Sequence, residues 1–107
     1  MDAKIKTKWV KALRGGRYRQ TSGALHSDKS YCCLGVLCRV VGAKWADDAF
    51  HWKGDSDAGV LPVKLRREMK ITPKQESRLI GLNDGTAPSS GGARSFKQIA
   101  DYIERYL

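Results

Sequence analysis

No uninterrupted apolar run in this sequence approaches the roughly 20 residues that a membrane-spanning helix needs. The first residues, MDAKIKTKWVKAL, carry lysines but no apolar stretch of the kind found in a secretion leader. The expected compartment is therefore the cytoplasm, where cysteines stay reduced. Cysteine itself is scarce, with Cys32, Cys33 and Cys38 making up the whole supply. A structural zinc site needs about four ligands, commonly as two close pairs, and no second pair exists here. Positions 33 and 38 would also lie about 140° apart on a helix. A calcium loop starting at Asp55 would need glycine at its sixth position and glutamate at its twelfth; Val60 and Arg66 stand there instead. The glycine-rich GLNDGTAPSSGGAR lacks the Lys-Ser/Thr ending of a P-loop and the strand-glycine spacing of a dinucleotide fold. Ribonucleoprotein aromatics, zinc-finger spacing and a helix-turn-helix are missing as well. No metal and no cofactor are expected.

Acidic residues are few. The 107 residues hold 20 Lys and Arg against 11 Asp and Glu, a formal net charge of +9, which implies an acidic partner. The charge is uneven. Lys4, Lys6, Lys8, Lys11, Arg14, Arg17 and Arg19 face only Asp2 within residues 1–19, and Lys64, Arg66, Arg67 and Lys70 face only Glu68 within 62–70. Residues 47–57 reverse the sign with Asp47, Asp48, Asp55 and Asp57 against Lys53. An acidic segment beside two basic blocks leaves self-association open.

Ile5, Trp9, Ala12 and Leu13 recur at helical spacing, predicting an amphipathic helix over 3–14 with Lys4, Lys8 and Lys11 as a neighbouring stripe. Gly15 and Gly16 should stop it. Residues 17–32 read as a small irregular hairpin. The apolar run from Cys32 to Val41 predicts a buried central helix, with Gly35 marking close approach of another element and Gly42 its end. The stretch 45–61 reads as a hairpin or loop around a polar KGDSDAG turn, and Pro62 as the first residue of a short basic helix. TPKQ at 72–75 and SFKQ at 95–98 are capping boxes that open two further helices, the last running to the C-terminus. The fold class is a helix-rich α+β single domain over 1–107, its central helix packed by the N- and C-terminal helices, with a small irregular β-hairpin element.

Cys32 and Cys33 fall at a helix start, which lowers a thiol pKa, and His26 or His51 with Asn83 or Asp84 would complete a nucleophile set. Cysteine in an apolar run also packs simply as a small hydrophobe, and that is the reading adopted. The anion-binding candidates are Lys8, Lys11, Arg14, Arg17, Tyr18, Arg19, Arg66, Arg67 and Arg94. Tyr18, between two arginines in the flexible GGRYR, is the aromatic best suited to stacking. Gln20, Asn83, Asp84 and Ser95 are polar candidates, the last three flanking a glycine-rich loop that feeds a helix N-terminus, a place where phosphates bind.

The order KWVKALRGGRYRQTSGAL, YCCLGVLC, VLP, LIGLNDG and SFKQIADYIE resembles a family of small proteins encoded by tailed bacteriophages and prophages. The matching positions are Trp9, Ala12, Leu13, Tyr18, Gln20, Gly23, Leu25, Tyr31 to Cys38, Leu82 to Asp84, Phe96, Ile99 and Ala100. The resemblance implies a phage accessory protein made in the host bacterial cytoplasm, and it brings genomic context without a mechanism. Together with the charge it leads to the expectation of a non-enzymatic protein that binds an anionic partner (nucleotide signal, nucleic acid or nucleoprotein) in counter-defence or host takeover. An inhibitor of an acidic host protein comes second, and a thiol enzyme using Cys32 or Cys33 third.

Overall fold

Asp2 starts the first helix by accepting a hydrogen bond from Ile5 N at 3.0 Å, and α1 then runs Ala3–Arg14 with Trp9, Val10 and Leu13 buried. In this computed structural model, residues 1–86 and 92–107 are described. Past α1, Gly16 takes a left-handed φ of 71°, and a small sheet follows: β1 (Arg19–Gln20), β2 (His26–Ser27) and β3 (Ser30–Tyr31). Its order is β1-β3-β2, with β2 antiparallel and β1 parallel to β3. The expected irregular hairpin is thus β2–β3, and β1 adds a parallel edge to it. Thr21 N continues that pairing by donating to Tyr31 O at 2.9 Å.

The apolar run folds as α2 (Cys33–Val41), with residues 33–38 buried. Gly42, at a left-handed φ of 84°, closes it. A β-carbon on Gly35 would stand 1.8 Å from Leu25 O, and the same carbonyl accepts from Cys32 N at 3.1 Å. The close approach expected at Gly35 is therefore made by a chain segment rather than by another helix.

The next segment corrects an expectation. Residues 44–57 form an antiparallel meander of β4 (Lys44–Ala46), β5 (Ala49–Trp52) and β6 (Asp55–Asp57), in that order. Asp47 and Asp48, both with positive φ, turn β4 into β5, and Lys53 and Gly54 do the same between β5 and β6. Within the expected KGDSDAG turn, Lys53 and Gly54 do turn the chain, whereas Asp55–Asp57 are a strand. Its acids satisfy backbone donors: Asp55 Oδ2 accepts from Lys64 N at 2.8 Å, and Asp57 Oδ1 accepts from Gly59 N and Val60 N. Pro62 is the cap before α3 (Val63–Glu68) rather than its first residue.

Both capping boxes form. Thr72 and Gln75 open α4 (Pro73–Asp84), which ends at Gly85, and Ser95 and Gln98 open α5 (Phe96–Tyr106). The chain is α+β, with α1 packed between α5 on one side and α2 on another, and α4 closing over α2 and α5. One contiguous buried cluster runs through these helices and takes in Leu25, Phe50 and Leu61 from the connecting segments. Among the described residues, no helix is long and apolar enough to cross a membrane.

Candidate anion-binding groove

Burial of one face of α1 turns its other face outward. Trp9 is fully buried and its Nε1 donates to Cys33 O at 2.9 Å, which fixes the rotation of α1 against α2. Lys4, Lys8 and Lys11 are then exposed. Where the chain leaves α1 through Gly15 and Gly16, Arg17 and Tyr18 swing back beside it. A groove of about 410 Å³ results, lined by Lys8, Lys11, Ala12, Gly15, Arg17, Tyr18 and Val40. Its cations come from both walls and no acid lines it.

Tyr18 is held in place by a stack of rings. It meets Tyr31 edge-on at 5.3 Å, and Tyr31 lies parallel to His26 at 4.1 Å. His26 in turn meets the edge of Trp45 at 4.6 Å, and Trp45 meets Phe50 at 4.9 Å. The Arg17 guanidinium lies 5.8 Å from the Tyr18 ring centre. The aromatics interleaved with the basic residues are therefore mostly packing groups, and they hold one wall of the groove.

The fold brings four of the nine sequence-derived cationic or aromatic candidates, Lys8, Lys11, Arg17 and Tyr18, into this groove. Arg14 points elsewhere, reaching Asp101 at 2.7 Å and Glu104 at 3.1 Å on α5. Those two carboxylates raise its pKa further, and Arg14 holds the Glu104 carboxyl below the usual range. Arg19 is exposed on β1, outside the groove lining. Arg66 donates from Nη1 to Ile71 O at 3.0 Å, closing the turn after α3, where Arg67 is exposed. The second basic block therefore does not join the first.

The polar candidates converge, but as a clasp. Asn83, 1% exposed, accepts at Oδ1 from Gln20 Nε2 at 2.9 Å and from Cys33 N at 3.2 Å. Its Nδ2 donates to Thr21 O at 2.7 Å and to Asp84 Oδ1 at 3.0 Å. Gln20 Nε2 also donates to Arg94 O at 2.8 Å. Ser95 and Gln98 are occupied with each other in the α5 cap, and Arg94 N donates to Leu82 O. The phosphate-loop expectation for GTAPSSGGAR falls partly on residues 87–91, which lie outside the described residues. At its described flanks, the amides of Thr86, Arg94, Ser95 and Gln98 already donate within the protein.

The cysteines are all buried and unpaired. Burial pushes Cys32 up to about 11 and raises Cys33 and Cys38 well above the usual thiol range. Cys32 Sγ accepts from Gly35 N at 3.4 Å, capping α2, and Cys33 Sγ donates to Leu79 O at 3.7 Å. The helix start that could have made Cys32 a thiolate is outweighed by the loss of water around it. Among the described residues, no three His, Cys, Asp or Glu side chains come together as metal ligands would.

Sequence reading missed the groove floor. Val40 and Ala12 match core periodicity, and nothing local marks the half-buried edge of a helix as a groove. It also missed a second open groove of about 670 Å³ that includes Thr72, Lys74, Arg78, Thr86 and Tyr102. The i,i+4 spacing of Lys74 and Arg78 was its one visible signal.

Fold and site together define a small basic α+β domain with a cationic groove beside its first helix. Residues 1–64 match the domain family of unknown function DUF8296; the match covers more than half of the chain, and the chain belongs to that family. The matched region runs from α1 into the start of α3 and contains every residue of the groove. No curated protein and no solved structure matches the chain.

Proposed function

We propose that this protein is a non-enzymatic accessory protein of bacteriophage type that binds a phosphate-bearing partner in the host bacterial cytoplasm, in counter-defence or host takeover. The observation that carries the reading is the convergence of Lys8, Lys11, Arg17 and Tyr18 on one groove with no acid in its lining. Ammonium and guanidinium groups on an exposed surface attract phosphate with little desolvation cost, and a guanidinium adds fixed, forked donors. The likeness to phage proteins supports the setting. Buried, protonated thiols support a binding protein over a thiol enzyme.

Calorimetry at low salt tests this, with nucleotides and oligonucleotides as ligands. Replacing Lys8, Lys11 and Arg17 together by glutamine should weaken binding at least ~10-fold while leaving the circular dichroism unchanged, since none of the three is buried. Undetectable binding of any phosphate ligand by the wild-type protein, or unchanged affinity in the triple variant, would sink the reading.

A further inference from the structure

We propose that the occupant of this groove is a run of phosphodiesters, a nucleic-acid strand gripped through its backbone, and that α1 is the rail along which it lies. The proposal rests on the anion-binding reading above and names the ligand class. The groove is not closed at its upper end. Lys8 is shared with a second open depression of about 400 Å³, lined by Ala3, Lys4, Thr7 and Lys8, so the two continue into each other along the helix.

Lys4, Lys8 and Lys11 are spaced four and three residues apart, which places them within about 60° of arc and spreads them over ~10 Å of helix axis. A nucleic-acid strand in a duplex advances ~3.4 Å of axis per phosphate. The rail therefore faces about three phosphates, and Arg17, beyond the glycine turn, is placed for a further one. The phosphates of a mononucleotide are bunched and would engage one end of this row, leaving the rest unused. Carboxylates of a protein partner carry no such regular spacing.

Charge around the rail agrees with this. Neither depression has an acid in its lining. Asp2, at the start of α1, is engaged with Ile5 N. Asp101 and Glu104 are held by Arg14, and Glu104 lines an adjoining depression that shares Lys11 with the groove, so the acid nearest the rail is already paired. The floor, Ala12 and Val40, offers methyl groups and no side-chain donors or acceptors for base edges. Binding is thus expected through the backbone, independent of sequence.

Fluorescence anisotropy with labelled thymidine oligomers tests the rail, using a dinucleotide, a hexamer, a dodecamer and a duplex dodecamer, with ATP as competitor. Affinity should rise ~100-fold from dinucleotide to hexamer and then level off, with a log–log salt slope of about −3 for the hexamer. Lys4→Gln and Lys8→Gln should each flatten that slope by about 1. Lys74→Gln on α4 makes the same charge change away from α1 and should leave it unaltered. A preference for either the single strand or the duplex fits the rail and identifies the form held. ATP binding as tightly as the hexamer, or an equal effect of Lys74→Gln, overturns the rail while leaving an anion site standing. No binding of any phosphate probe, with an acidic peptide bound instead, removes both readings.

Discussion

At the scale of single residues, the least replaceable side chain is one that is absent. Gly35 lets the Leu25 carbonyl approach the first turn of α2, where an added β-carbon would stand 1.8 Å from that oxygen. The carbonyl cannot easily retreat, because Cys32 N donates to it and Leu25 N is itself bound to Ala58 O. Gly35→Ala should therefore destabilise the protein by at least ~2 kcal/mol, even though alanine is the better helix former, and the urea midpoint checks it. A second residue-scale effect concerns Glu76, whose Oε2 accepts from Leu61 N at 2.9 Å in a largely buried position. Burial raises its pKa, against the pull of the Leu61 amide and Arg66. A raised carboxyl binds its proton more tightly in the folded chain than in the unfolded one. Stability is thus lost as pH rises from the ordinary glutamate range through the folded-state value. Glu76→Gln keeps an acceptor for Leu61 N and removes the charge. Its gain over wild type should be absent at pH ~4, below the raised value, and grow toward neutrality. A gap between the two urea midpoints that does not change with pH would contradict this.

At the scale of elements, start signals and apolar periodicity made the helices readable. Thr72-Gln75 and Ser95-Gln98 form the reciprocal bonds that their spacing promised. Ser95→Ala should cost about 1 kcal/mol by thermal melting, with Ser95→Asp restoring most of it. The strands were harder to read. A two-residue strand has too few positions for alternation to appear, and the parallel pairing of β1 with β3 depends on a contact across the intervening hairpin. Strand β6 was mistaken for a turn because Asp-Ser-Asp has turn chemistry. In the fold those carboxylates cap Lys64 N and the Gly59–Val60 amides from an extended backbone. Local composition gave the right groups and the wrong geometry.

At the scale of the whole molecule, about half of the candidate site was legible, for a definite reason. Lys8 and Lys11 share a helix with a periodic buried face, so their outward direction follows from sequence, and Arg17 and Tyr18 are tied to them by a short glycine turn. Arg14 and Arg66 do not join the groove because their guanidinium partners lie elsewhere, Asp101 and Glu104 on α5 and Ile71 O after α3, while Arg94 is placed by its backbone bonds to the Gln20 side chain and the Leu82 carbonyl. Only the folded chain shows which cations are already engaged. The Arg14–Glu104 contact also spans 90 positions of sequence. It joins α1 to α5, which is synthesised after the other four described helices. On the ribosome α1 can coil by itself and meet α2 soon after, yet its flank facing α5 has nothing to close against until residues 96–106 have emerged. A nascent chain stalled before Phe96 would therefore present Val10 and Leu13 beside the lysines of α1, a basic amphipathic helix in search of a cover.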